Sequence, residues 1–372
     1  MFLALKEMRR SLGRFVMLIA AIGLLVFLVL FQAAIRNGLV TTFIGGIENQ
    51  SAPVLVLSTD ALRQLSASTI DAATQQSISS VNSVAETAQM GQVVAPVTAG
   101  GESRAVSVVG YSNAELGGPT TLVTGRLPQV AGEVVANLGD AADGFAIGDT
   151  ITVLPAGLPL KVVGQATDID LGFPTLFTTF DTFTDVVRAT NPDAGEISPN
   201  AIAVRPQPGV SGETVTAEIN ALGDDVDALT RSQLAEQSPG VAQVKTSFLL
   251  IFIIFGIVVP LVTGLFFLIV TFQKAGSLTL LRAVGVRSTA LVRSLLVQVL
   301  IVVGLGLVVG IALYLPLSSQ KLGNISLKFE TAVVIFWSIL FLVLGLLSSL
   351  VAARRVLAID PIEATTGAGV GR

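Results

Sequence analysis

Asp168 and Asp170, two carboxylates one residue apart, have the side-chain type and spacing that could hold a hard cation. Such a cation takes about six to eight oxygen ligands, and no further cluster of oxygens lies nearby, so a solvated loop is the better reading. The rest of the chemistry is narrowed by what is missing. The 372 residues contain no histidine and no cysteine. The usual general base, the commonest metal ligand and the thiolate nucleophile are therefore absent, and the familiar dyads and triads cannot be assembled. Only carboxylate, lysine or tyrosine chemistry is left, and no catalytic set emerges from it; a membrane acyltransferase or protease is the weakest class. No G-x-x-x-x-G-K-[ST] occurs, and the tail Gly367-Ala368-Gly369-Val370-Gly371-Arg372 has no following helix to make it a phosphate cradle. The chain is not expected to be an enzyme.

The elements that carry the remaining side chains are set first by hydropathy. Hydrophobic residues make up 52% and charged ones 13%, with a mean hydropathy of +0.77, above an average soluble domain, so lipid is the expected solvent. Apolar stretches run from about Phe15 to Ile35, Phe248 to Phe272, Leu291 to Leu317 and Thr331 to Val351. Each approaches or exceeds the roughly 20 residues that cross a bilayer core as helix, the one form in which a lone span satisfies its own backbone. A secretory signal peptide would also place Lys6, Arg9, Arg10 and Arg14 before an apolar run, with Gln32-Ala33-Ala34 near its end. The first run is longer than the about 7–15 residues of a signal core, so a span is expected.

Basic residues mark the inner ends: Lys6, Arg9, Arg10 and Arg14 before span one, Lys274, Arg282, Arg287 and Arg293 between spans two and three, and Arg354 and Arg355 after span four. Both termini are expected in the cytoplasm. Asn37 to Val244 holds 22 Asp and Glu against 7 Lys and Arg, net −15, and the remainder holds 4 against 15, net +11. The total of −4 hides this sidedness, and the acidic segment is not expected to bind nucleic acid or anionic lipid. Without cysteine it must be held by its own packed core, for which its length suffices. Runs at Pro53 to Leu57, Arg104 to Val109, Glu133 to Ala136, Thr150 to Leu154, Leu160 to Val163 and Ala201 to Val204 predict strands. Helical patterns fall near Asp181 to Arg188 and Gly212 to Leu222.

The fold class expected is a membrane protein of four transmembrane helices, arranged 1+3, with a large extracytoplasmic mixed α/β domain between helices one and two. Met1, Leu5, Met8, Leu12 and Phe15, opposite Lys6, Arg9, Arg10 and Arg14, predict an amphipathic interfacial helix over 1–14. It is followed by a span over 15–36, the extracytoplasmic domain over 37–246, a span over 247–272, a short cytoplasmic helix over 273–289, a span over 290–317, an external loop over 318–330, a span over 331–353 and a cytoplasmic tail over 354–372. Gly306 and Gly310 form a G-x-x-x-G face that lets another helix approach closely, within one subunit or between two.

The stretch Gln273-Lys274-Ala275-Gly276-Ser277-Leu278-Thr279-Leu280-Leu281-Arg282-Ala283-Val284-Gly285-Val286-Arg287 reads as a short basic helix stopped by Gly285. On physical grounds it could simply anchor on anionic lipid. Its residues resemble those of the FtsX-like permeases of MacB-type ABC transporters. So do the ending Ala352-Ala353-Arg354-Arg355 with Asp360-Pro361-Ile362-Glu363-Ala364, and the external stretches Gly125-Arg126-Leu127-Pro128, Gly132-Glu133-Val134-Val135 and Gly148-Asp149-Thr150-Ile151. The resemblance covers the whole chain. It implies a plasma-membrane homodimer bound to two copies of a separate ABC ATPase, with ATP and Mg on that partner. It also implies a coupling role for Lys274, Gly276, Leu281, Arg282, Ala283 and Gly285, and a lever-like transmission that expels substrate.

A narrower resemblance concerns Phe2-Leu3-Ala4-Leu5-Lys6-Glu7 and Ile47-Glu48-Asn49-Gln50-Ser51-Ala52, which are similar to the haem-exporting permeases of the HrtB type. Haem is then the implied substrate, with no intrinsic cofactor. Without His or Cys, iron must be held by Met, Tyr, a carboxylate or water. Glu48 is the first candidate for the iron, though a solvated carboxylate at a helix end is an equal reading, and Met17 lies too near the inner leaflet. Arg36 could pair with a propionate or snorkel to headgroups. Phe27, Phe31, Phe43 and Phe252 could supply flat apolar walls, or face lipid. Export of a lipid, lipoprotein or peptide stays open, as does an FtsX-like regulator of an extracellular hydrolase that transports nothing.

Overall fold

A computed structural model describes residues 12–273, 288–318, 320–322, 325–327 and 329–357. The expected interfacial helix lies mostly, and the short cytoplasmic helix almost wholly, outside them. The chain divides into two compact units, with boundaries at Arg36/Asn37, Thr246/Ser247, Lys321/Leu322 and Ser326/Leu327.

The first unit is made of long helices: α1 (Leu12–Glu48) up to Arg36, then, further along the chain, a second helix over Val241–Gln273, a third over Ser288–Tyr314 and a fourth over Thr331–Leu357. All four are long and apolar enough to cross a membrane. Small residues decide how they pack. A Cβ on Gly306 would lie 2.5 Å from Ile22 Cγ2, one on Gly310 2.6 Å from Val26 Cγ1, and one on Gly23 2.8 Å from Val309 Cγ1. The G-x-x-x-G face is thus spent on close approach of spans one and three within one chain, as bare glycine permits. A Cβ on Gly345 would meet Val303 at 3.0 Å, and Phe252 lies on Trp337 with ring centroids 5.1 Å apart, joining span four to spans three and two.

The second unit is a mixed α/β domain around one large sheet. Its elements are β1 (Val54–Ser58), α2 (Ala72–Ser79), β2 (Val84–Ala99), β3 (Glu102–Tyr111), β4 (Leu122–Gly125), β5 (Glu133–Asn137), β6 (Thr150–Val153), β7 (Leu158–Ala166), β8 (Thr175–Thr179), α3 (Phe180–Thr190), β9 (Ala201–Pro206), α4 (Gly212–Asn220), β10 (Val226–Thr230) and α5 (Arg231–Gln237). The long helices that follow are α6 (Val241–Gln273), α7 (Ser288–Tyr314) and α8 (Thr331–Leu357), with a two-stranded pair of β11 (Lys321–Leu322) and β12 (Ile325–Ser326) between the last two. The strand order is β10-β1-β9-β2-β3-β8-β5-β7-β4, with β6 joined to β2 and β7. The pairs β3/β8 and β5/β7 are parallel, which needs crossovers rather than hairpins.

Every strand and helix expected from the sequence in this domain is present. Several others carried no clean period. β2 contains Gly91 and Pro96, residues that usually weaken or end a strand. Gly91 sits opposite Gly110 of β3, and the Phe183 ring of α3 lies in the space where either glycine's Cβ would be. The missing side chains are replaced by an aromatic ring from another element.

Asp170 corrects the reading of a solvated loop, and Asp168 is half-buried. Asp170 is buried; its carboxylate accepts from Asn137 Nδ2 at 2.5 Å and from the Thr175 amide at 3.3 Å. Asp168 adopts φ +58°, an uncommon conformation for a side chain other than glycine. The pair is architecture, and among the described residues no three acidic, His or Cys side chains are grouped to hold a metal ion.

Candidate functional site

The residues singled out for haem lie mainly on α1, which is unbroken from Leu12 to Glu48. It contains no proline, and its apolar composition keeps it helical through the bilayer length. Phe27 and Phe31, one turn apart, stack with centroids 5.8 Å apart and interplanar angle 12°. Both are half-buried, as is Arg36, whereas Phe43 is 43% exposed and Glu48 is exposed.

At 3.6 residues per turn, Phe27, Phe31 and Glu48 fall within about a third of the helix circumference, and Arg36 and Phe43 fall on the other side. Glu48 is also twelve residues beyond Arg36, about 18 Å along the axis at 1.5 Å per residue. Five of the six residues thus fall at two levels of span one, Phe27, Phe31 and Arg36 below and Phe43 and Glu48 above, each level split between two sides of the helix, and Phe252 lies on span two. Phe252 packs on Trp337 and lies 6.3 Å from Phe248, so its ring is engaged inside the helix bundle.

The upper end of α1 is set into the external domain. Ile44 and Ile47 are 1% and 6% exposed and belong to the apolar core that includes Leu171 and Phe177. Gly45 and Gly46 allow the helix to approach the loop before β8. A Cβ on Gly45 would collide with the Asp168 carbonyl oxygen, and one on Gly46 would lie 2.7 Å from both the Ile169 oxygen and Leu171 Cγ. The Gly46 amide donates to the Asp170 oxygen at 3.0 Å, the Gly172 amide to the Thr42 oxygen at 2.7 Å, and Asn49 Nδ2 to the Asp168 oxygen at 2.7 Å. The sequence reading passed over this contact. Its one visible signal was a pair of adjacent glycines inside a helix, each about 1 kcal/mol less favourable than alanine there, a cost that points to close backbone approach.

The external string Gly125 to Val135 also acquires a geometry. Arg126 grips the Glu133 carboxylate through both terminal nitrogens, and the Gln129 amide donates to the same group at 3.0 Å. These contacts, the guanidinium first, hold the Glu133 carboxyl down at about 2. Lys274, Gly276, Leu281, Arg282, Ala283 and Gly285 lie outside the described residues.

The family model described as the MacB-like periplasmic core domain matches residues 15–222. The chain is similar to proteins named as hemin transport system permease HrtB. That of Staphylococcus haemolyticus is 23% identical over 372 residues, and that of Staphylococcus epidermidis is 22% identical, with 99% of both chains covered in each case. Among solved structures, the chain is matched to the periplasmic region of MacB from Actinobacillus actinomycetemcomitans. It is 14% identical, covers 52% of this chain and 95% of that one, and has a TM-score of 0.38. The extracellular domain of the ABC-type transporter YknZ from Gram-positive bacteria is 10% identical, covering 48% and 99%, with a TM-score of 0.36.

Proposed function

The chain belongs to the family of the MacB-like periplasmic core domain, and from that membership we propose that it is the permease subunit of an ABC efflux transporter that exports haem from the membrane. ATP is hydrolysed by a separate ABC ATPase, two copies of which bind a permease homodimer. The observation that carries the haem reading is similarity over 99% of the chain to proteins named as hemin permeases. Such similarity covers the helices and their linking segments as well as the external domain.

The geometry of α1 suggests how haem is handled. Phe27 and Phe31 offer a stacked apolar surface on one side of the helix, and Arg36, on the opposite side, is the cation that would hold a propionate there by charge-assisted hydrogen bonding. Further along the helix Phe43 and Glu48 lie on different sides, and Glu48 is the carboxylate able to ligate iron. Phe252, beside Phe248 and Trp337, is the candidate apolar wall on span two. The interfacial helix over 1–14, the coupling helix over 273–289 and cytoplasmic termini complete the arrangement, and Lys274, Gly276, Leu281, Arg282, Ala283 and Gly285 face the ATPase.

Haem titration of the purified chain, followed at the Soret band beside Glu48→Ala, tests this. Saturable binding in the wild type with the ligand-dependent shift lost in Glu48→Ala is expected. A shift retained by the variant moves the iron ligand elsewhere. No saturable shift in either, with the ATPase partner present, favours the lipid, lipoprotein or peptide exporter, or the hydrolase regulator.

A further inference from the structure

We propose that Phe43 and Phe173 form an apolar foot by which the external domain contacts the outer headgroup layer of the bilayer. Such a foot requires only that α1 crosses the membrane, whatever substrate is exported.

The external segment 37–246 contains six phenylalanines. Phe145, Phe177 and Phe183 are buried and Phe180 is half-buried, whereas Phe43 and Phe173 are 43% and 40% exposed. Each of the two is the one exposed residue of a covered stretch, 37–47 around Phe43 and 171–180 around Phe173. Tertiary structure brings them together. The Gly172 amide donates to the Thr42 oxygen at 2.7 Å, and the two rings leave the chain at the residues that follow this bond.

Neither ring is displayed by a loose loop. Phe43 stands between buried Thr42 and buried Ile44 on α1. Pro174 restricts Phe173 to extended backbone. The Phe173 carbonyl accepts from Thr175 Oγ1 at 2.8 Å, and the Pro174 carbonyl accepts from the Ser107 amide of β3 at 2.9 Å. Backbones tied in this way hold two large apolar rings in water side by side, a cost that an apolar neighbour removes.

Chain length identifies that neighbour. No residue between Arg14 and Arg36 is charged, and Phe43 follows Arg36 by seven residues of α1. At about 1.5 Å per residue, Phe43 stands at most about 10 Å beyond Arg36, whether or not the helix bends at Gly38. The headgroup layer outside the hydrocarbon core is roughly 5–8 Å thick, which is within reach of the ring. Charge points the same way. Residues 37–47 and 171–180 carry no charged side chain, in a segment whose net charge is −15 over 37–244. An acidic surface is repelled by anionic headgroups, and an uncharged aromatic pair is not. With no polar tip, phenylalanine settles at the acyl side of the membrane–water boundary.

The test uses the full-length chain in vesicles of phosphatidylcholine and phosphatidylglycerol. Trp337 is the one tryptophan, so Trp337→Phe gives a dark background for single reporters. These are placed by Phe43→Trp, by Phe173→Trp and, as a water-exposed reference on β4, by Val123→Trp. Lipids brominated high on their acyl chains are expected to quench the first two reporters about twofold and leave the third unchanged, while acrylamide quenches the first two about fivefold less than the third. Acrylamide reaching all three equally, with brominated lipids silent, overturns the foot. So does protection without quenching by brominated lipid, which would place a protein surface there, and so does protection that arises only when haem is added, which would make the pair a substrate contact. If Trp337→Phe does not fold, Phe173→Cys carries a nitroxide in a chain with no other cysteine. Its collisions with oxygen are expected to exceed those with a water-soluble nickel chelate, and the reverse order overturns the foot.

Discussion

Arg126 and Glu133 show how much a short motif can encode at the level of single side chains. The bidentate pair closes the turn between β4 and β5, with the Gln129 and Val130 amides adding to the carboxylate's partners. Because the folded-state carboxyl sits near 2, below its ordinary 4.5, the pair's stabilisation is complete above about 4.5 and is lost as pH falls through about 2. Arg126 is 47% exposed, so solvent screens the pair and limits what it contributes to stability. Unfolding temperatures of the full chain between pH 5 and 2 should therefore fall more steeply in the wild type than in Glu133→Gln. Parallel curves would remove the pair from the stability of the domain. Of the two carboxylates with cation-site spacing, Asp170 is instead a buried brace, and the partner that satisfies it, Asn137, is distant in sequence.

At the level of elements, helix packing is decided by small residues. Gly306 and Gly310 of α7 are covered by Ile22, Gly23 and Val26 of α1, so a larger side chain has nowhere to go. Gly310→Leu should lower stability by about 2 kcal/mol, read as a reduced unfolding temperature of the detergent-solubilised chain, through overpacking of spans one and three. An unchanged unfolding temperature would mean that this face is open. The four spans, six strands and two helices of the external domain were legible in the sequence because hydropathy and period report local burial. β2 was not, since Gly91 and Pro96 break its period and the Phe183 ring that compensates comes from α3. The contact at Gly45-Gly46 escaped for the same reason: the loop it touches is more than a hundred residues away, and a glycine pair by itself does not say what approaches it.

For the whole molecule, the proposed work is the transfer of ATP-driven movement from a cytoplasmic partner to the external domain. Substituting Arg282 by glutamate, or Gly285 by a bulky residue, should uncouple the partner's ATP hydrolysis from export while Soret-detected haem binding by the permease stays unchanged. Transport that survives both substitutions would remove residues 274–285 from coupling. The charge division, −15 over 37–244 against +11 elsewhere, suits a protein with an acidic outer face and basic inner loops. The sequence by itself determined the number of spans, the mixed α/β character of the domain between spans one and two, and the absence of His and Cys chemistry, since these follow from composition and local period. Only the tertiary structure decided that Glu48 stands about 18 Å beyond Arg36 on one unbroken helix. It alone turned a G-x-x-x-G face inward on span one and seated Gly45 and Gly46 against Asp168 to Leu171. Those outcomes depend on which backbones approach within van der Waals distance, and a sequence marks such a place with a glycine without recording its partner.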